Sequence, residues 1–123
     1  MFQKRINSFK YAFNGINLLI KTQIHARIHV SAIIIVSILG WYLRINTTEW
    51  LILILCFGSV LSAEGMNSAI ETLTDLVSPE YHPLAGKAKD LAAGAVLILA
   101  LMSMIVGGII FIPKISGLCL TCK

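Results

Sequence analysis

The chain has 123 residues, of which 57% are hydrophobic and only 13% charged, with a formal net charge of +4. Soluble domains carry about 25% charged residues, so this chain lacks the polar surface to be one and reads as embedded in a bilayer. The basic excess is spread thinly, with no dense Lys/Arg cluster or aromatic-basic surface, which argues against nucleic acid as a partner.

The expected architecture is all-α, one membrane domain over residues 1–123. It comprises an amphipathic surface helix at about 3–21, spans at about 27–45, 50–77 and 84–112, and a short tail, 113–123. In the first element Phe2, Ile6, Phe9, Phe13, Ile16 and Ile20 recur at spacings of three and four, opposite Lys4, Arg5, Asn7, Ser8 and Asn14. Such a helix lies in the headgroup plane with its basic face toward phosphates, or packs on the cytoplasmic ends of the spans. The apolar core of the first span, Val30 to Leu43, is 14 residues and needs its flanks from Arg27 to Arg44 to cross. His25 and His29 fall at its headgroup boundary. Asn46-Thr47-Thr48 then forms a turn flanked by Trp41, Tyr42 and Trp50, as an aromatic belt is.

The second span begins with the apolar run Trp50 to Ala63 and continues to Val77. Pro79 and Pro83 break the helix, which restarts through Ala85-Gly86-Lys87-Ala88-Lys89-Asp90. Leu91 to Ile112 has the length of a transmembrane helix outright. Ala88, Ala92, Ala95, Gly86 and Gly94 permit close helix–helix contact. A cleaved signal peptide is not expected, because the first apolar run starts about 30 residues in and no small-x-small cleavage site appears. Cys56 reads as a mid-span filler, and Cys119 with Cys122 as a lone CxxC too small for a zinc site. Seven Lys/Arg lie before span one or between spans two and three, against three elsewhere. That split puts the N-terminus and the 76–90 loop in the cytoplasm.

The chemistry concentrates in span two. Glu64, Asn67, Glu71 and Asp75 fall at i, i+3, i+7 and i+11, so they share one helix face. Charges in hydrocarbon cost several kcal/mol on most scales, which makes such residues functional candidates by default. A hairpin broken at Pro79–Pro83 places Lys89 and Asp90 about level with Glu71. Carboxylates with few imidazoles suit a hard cation such as Mg²⁺, and Lys89 beside it would neutralise nucleotide phosphates. No GxxxxGK[ST] or GxGxxG is present, so a nucleotide is held by some other architecture. A small ion-coupled transporter would also use buried carboxylates at Glu64 and Glu71, but has no need of Lys89–Asp90. For a purely structural subunit the buried acids serve no purpose.

The stretches Ala63-Glu64-Gly65-Met66-Asn67-Ser68-Ala69-Ile70-Glu71 through Asp75, and Ser78-Pro79-Glu80-Tyr81-His82-Pro83-Leu84-Ala85-Gly86-Lys87-Ala88-Lys89-Asp90, closely resemble the signature of the prokaryotic diacylglycerol kinase and undecaprenol kinase family. The resemblance extends to Phe9-Lys10-Tyr11-Ala12-Phe13-Asn14-Gly15 and Arg27-Ile28-His29, and covers nearly the whole chain up to Lys114. It implies a surface helix, three spans and a homotrimer with active sites at subunit boundaries. It further implies transfer of the γ-phosphoryl of ATP, with Mg²⁺, to the hydroxyl of a membrane lipid alcohol.

Carried over by position, Glu64 is the general base and Asn67 helps fix the constellation. Glu71 holds Mg²⁺, while Lys89 and Asp90 contact ATP. Glu80, Tyr81 and His82 from the loop, with Tyr11 and Lys4 from the surface helix, surround the nucleotide. Gln23 stands where the family has a glutamate as second metal ligand; its amide carbonyl can bind Mg²⁺ with less charge. Asp75 reads as a charge at the cytoplasmic end. The wording around Arg27-Ile28-His29 and Ser78 to Gly86 is more similar to the undecaprenol kinase branch.

Overall fold

The computed structural model describes residues 2–121, apart from the side chains of residues 2, 4 and 118–121. Among the described residues it holds four helices and no strand: α1 (Phe2–Thr22), α2 (Ile24–Tyr42), α3 (Thr47–Val77) and α4 (Pro83–Thr121). The last three are long and apolar enough to cross a membrane. Cys119 and Cys122 lie outside the described side chains.

Each boundary has a local cause. Gln23, in extended backbone, separates α1 from α2. The second helix starts at Ile24, ahead of the expected residue 27, and buries Ala26 completely. It also stops at Tyr42, short of the expected 45, because Arg44 enters the left-handed region at φ 51°. There Arg44 N–H donates to Trp41 O at 3.2 Å and Ile45 N–H to Gly40 O at 3.1 Å. Those paired bonds close the helix as a Schellman motif, with arginine where glycine is usual. Two residues on, α3 opens with a capping box. The Asn46 side chain accepts from Glu49 N–H at 2.9 Å, and the Glu49 carboxylate accepts from Asn46 N–H at 2.8 Å. That box begins α3 at Thr47, ahead of the apolar residue Trp50 that the sequence pattern marks.

At its C-terminal end α3 stops at Val77, and Pro83 takes the first position of α4, where its missing N–H costs nothing. The fourth helix then continues through Pro113 to Thr121, where the sequence predicts a tail. A proline removes one helical hydrogen bond, which a membrane helix tolerates when neighbouring groups hold the chain. Here Lys114 Nζ is tied to Glu49 Oε2 at 3.1 Å, and Ser116 Oγ donates to Pro113 O at 2.9 Å.

The third helix is the axis of the protomer: α4 packs antiparallel along most of its length, α2 along its outer half, and α1 touches it near Gly65 through Leu19. A core of Ile45, Leu53, Ile110 and Phe111, joined by Trp50, Phe57 and Val36, fills the outer end. Gly40 is buried there, and a Cβ on it would meet Ile45 Cδ1 at 2.9 Å and the Trp50 ring at 3.2 Å. Two ion pairs, Glu49–Lys114 at one end and Asp75–Lys89 at the other, share one register to within a residue. The hairpin therefore runs without slippage between them.

Candidate active site

Small side chains on α4 make room for the polar stripe of α3. Ala92 is buried against it, flanked by half-buried Ala85 and Ala88. On α3 the buried face passes from Leu53 and Val60 to Glu64 and Asn67, at 2% and 8% exposure. A carboxylate and an amide thus continue the line of an apolar packing face. Glu71 is half-buried and Asp75 exposed. By the hairpin register, Glu64 is level with Leu99 and Ala100, and about 16 Å along the helix from Asp75 at 1.5 Å per residue.

Asn67 Nδ2 donates to Glu71 Oε1 at 3.1 Å. Its other end is unmet: Oδ1 is buried without a hydrogen-bond partner. Leaving a buried acceptor unsatisfied costs about 1–3 kcal/mol, so this amide is held for something other than packing. The hydroxyls nearby do not serve it, because Ser68 Oγ donates to Glu64 O at 2.9 Å and Thr72 Oγ1 to Ser68 O at 2.8 Å. Both are turned back onto their own helix.

Lys89 is not level with Glu71 as the sequence reading has it. Its ammonium pairs with Asp75, one turn nearer the α3–α4 loop, and Asp90 beside it is exposed. In the register that the two ion pairs fix, the start of α4 overhangs the end of α3, which sets Lys89 opposite Asp75. Asp75 is therefore more than a terminal charge: it is the partner that fixes Lys89. The signal was present in its place at i+11 of the stripe.

In the loop, Ser78 Oγ donates to Glu80 O at 2.9 Å. His82 caps α4, with its carbonyl accepting from Gly86 N–H at 3.1 Å and its Nδ1 from Leu84 N–H at 3.2 Å. That bond assigns the imidazole proton to Nε2. Tyr81 is 90% exposed, and Glu80 also faces solvent. Together, Lys89, Asp90 and the 80–82 segment gather at the mouth of the hairpin.

Other residues singled out by the sequence lie apart. Tyr11 is exposed on α1, and the side chain of Lys4 lies outside the described residues. Gln23 is half-buried at the α1–α2 junction, with no side-chain cap bond, and lines a groove with Gly65, Ser68 and Thr72. Glu71 is not among the residues that line that groove. Among the described residues, no three His, Cys, Asp or Glu side chains gather closely enough to hold a metal ion.

A helical protein with three candidate membrane spans, in which buried Glu64 and Asn67 and half-buried Glu71 lead toward Lys89 and Asp90 in the first turns of α4, has the make-up of a membrane enzyme. The family model of prokaryotic diacylglycerol kinase matches residues 10–111. The undecaprenol kinase of Bacillus subtilis (strain 168) is 41% identical over 88% of each chain. The diacylglycerol kinase of Synechocystis is 38% identical over 90% of this chain and 64% of its own length, and that of Haemophilus influenzae 33% over 86% and 91%. The chain belongs to the prokaryotic diacylglycerol kinase family. It is an integral membrane lipid kinase and uses ATP. The transporter reading finds no support in these relatives.

Proposed function

We propose that this enzyme transfers the γ-phosphoryl of ATP, with Mg²⁺, to the hydroxyl of undecaprenol or a similar polyprenol, with diacylglycerol as the second acceptor. The observation that carries the site assignment is the buried pair Glu64 and Asn67, with Asn67 Oδ1 unmet beside Glu71. Identity over most of both chains to an undecaprenol kinase supports the polyprenol.

Glu64 accepts the proton of the lipid hydroxyl as the oxygen bonds to the γ-phosphorus. The bond from that phosphorus to the β–γ bridging oxygen breaks, and ADP leaves. Its burial excludes water, the competing acceptor. Asn67 orients Glu71 through its amide N–H. The donor set fits a hard cation, which Glu71 Oε2 and Asn67 Oδ1 would hold as oxygen ligands. When bound, Mg²⁺ neutralises phosphate charge. Gln23 as a further ligand rests on the resemblance, which puts the site at a subunit boundary of a homotrimer. Lys89, released from Asp75 or shared with it, meets the phosphates, with Asp90, Glu80, Tyr81, His82, Tyr11 and Lys4 around the nucleotide. The seven-to-three basic split supports a site on the cytoplasmic face of the bacterial inner membrane.

The test is a side-by-side assay of purified protein with ATP, Mg²⁺ and either undecaprenol or diacylglycerol in the same bilayer discs. A kcat/KM for undecaprenol at least tenfold above that for diacylglycerol is expected, corresponding to about 1.4 kcal/mol. A reversed preference overturns the polyprenol assignment. Phosphorylation of neither lipid overturns the lipid-kinase reading of this site.

A further inference from the structure

The carboxylate side chains of the protein all lie between Glu49 and Asp90. Residues 1–48 hold none, yet they carry Lys4, Arg5, Lys10, Lys21, Arg27 and Arg44. The two ion pairs among the described residues are Glu49–Lys114 and Asp75–Lys89, and neither takes a cation from α1 or α2. A segment with many cations and no internal anion is built to meet anions from outside the chain.

Depth in the bilayer singles out Arg27. The second helix has 19 residues. At 1.5 Å per residue that is about 28 Å, close to the roughly 30 Å of a hydrocarbon core, so α2 needs its whole length to cross. Exposed Trp41 and Tyr42 hold one end at an interface. Arg27 is about 21 Å from Trp41 along the helix, which puts it in the first turn at the other interface. From there its apolar stem runs through hydrocarbon and the guanidinium reaches the phosphate layer.

Arg27 also borders a groove of about 480 Å³, lined by Ile24, Arg27, Ile28, Ser31, Ala32 and Ile35, all exposed residues of α2. Ile28, Ser31 and Ile35 lie about 120–180° around the helix from Ala26 and Gly40, the residues that α2 buries. The groove therefore opens away from α3 and its polar stripe. Its cause is local: Ser31 and Ala32 are small and leave a notch between Ile24 and Ile28 on one side and Ile35 on the other. Ser31 Oγ donates to Arg27 O at 2.9 Å, which turns the hydroxyl onto its own helix and leaves the notch apolar. The recess under α1 and a second one between α2 and α4 have no Lys or Arg in their walls.

We propose that this notch binds one acyl chain of an anionic phospholipid, with the lipid phosphate on the Arg27 guanidinium. The site is separate from the phosphoryl-transfer stripe and does not depend on the lipid-kinase reading. From Arg27 to Ile35 the groove runs about 12 Å along α2, within the depth of a single leaflet, so one chain hanging from the phosphate covers it. The guanidinium offers a planar fork of donors that matches phosphate oxygens. Charge selects the headgroup. A choline headgroup would bring its own cation toward Arg27, exposed His25 and exposed Lys21, where no carboxylate in residues 1–48 receives it. A phosphatidylglycerol headgroup brings no cation and keeps the attraction.

The test exposes full-length protein in micelles to equal amounts of phosphatidylglycerol and phosphatidylcholine and counts retained lipid by native mass spectrometry. Wild type is expected to retain phosphatidylglycerol at least about fivefold over phosphatidylcholine, and Arg27→Gln to bring the two within about twofold. Fivefold is about 1 kcal/mol, the contribution of one basic residue at an anionic surface. Ser31→Leu fills the notch and keeps the charge, and is expected to lower phosphatidylglycerol retention at least about threefold. Lys10→Gln, on α1, is expected to leave it within about twofold of wild type.

Equal retention of both lipids by wild type, an unchanged preference in Arg27→Gln, or an equal loss in Lys10→Gln overturns the site. Should Arg27→Gln fail to assemble, Ser31→Leu decides, and no loss there overturns it. Displacement of the retained lipid by inorganic phosphate puts a free phosphate on Arg27 and also overturns it. In membranes, with native cysteines replaced, Ser31→Cys is expected to give no disulfide between chains under oxidation. A cross-linked pair puts a second copy of the chain over the groove in place of lipid, and overturns the proposal.

Discussion

Glu64 and Asn67 lie one turn apart on α3, both buried, yet the proposed reaction puts them to different use. Glu64→Gln removes the base but keeps size and a polar head. Activity is expected to fall on the order of 10²–10⁴-fold while ATP affinity, read by a nucleotide-binding titration, stays within a few-fold. Near-full turnover would show that Glu64 is not the base. Asn67 is the opposite experiment, because its Oδ1 is buried without a partner. Asn67→Leu deletes an unmet acceptor worth about 1–3 kcal/mol, so the midpoint of thermal unfolding in detergent should hold or rise while turnover falls at least about tenfold. Loss of both together would make Asn67 a folding residue. Gln23→Glu tests the metal by binding alone. If Gln23 is a ligand, added charge should tighten Mn²⁺ binding, followed by electron paramagnetic resonance without nucleotide turnover. An unchanged titration would leave Gln23 as a wall of the α1 groove.

At the scale of elements, the outer turn is where backbone and packing constrain each other most. Gly40 has no room for a Cβ against Ile45 and Trp50, at 2.9 and 3.2 Å. Gly40→Ala is expected to destabilise the α2–α3 hairpin by about 1–3 kcal/mol, since overpacking forces neighbours off their rotamers. Arg44 holds a left-handed backbone that costs an L-residue about 1–2 kcal/mol, so Arg44→Gly should shift stability the other way. Both are read by denaturant unfolding in micelles. At the inner end the Asp75–Lys89 pair is half-exposed to exposed, and such pairs contribute about 0–1 kcal/mol. Its value is positional: it sets where Lys89 waits, not how firmly the hairpin holds.

For the whole molecule, orientation decides whether the site can meet ATP. With native cysteines replaced, Glu80→Cys should react with an impermeant thiol reagent only from the cytoplasmic side, and Lys123→Cys only from outside. Reversed labelling would place the loop away from cytoplasmic nucleotide. The broad apolar exposure of Ile34, Leu55, Ile98 and Ile105 suits contact with lipid, as a bilayer-embedded chain requires.

Hydrophobic runs, proline breaks and the i, i+3, i+7, i+11 stripe are local, so helix number and the polar face were legible from the chain alone. Boundaries were less so where a backbone device set them. The Arg44 closure, the Asn46–Glu49 box and the continuation through Pro113 depend on hydrogen bonds that apolar spacing does not encode. What only the tertiary structure decided is which groups meet across helices. It paired Lys89 with Asp75 rather than setting it level with Glu71, left Asn67 Oδ1 unmet, and set Gln23 in a groove that Glu71 does not line. Those outcomes follow from the register of α4 on α3 and the small residues between them, which no single helix's periodicity contains.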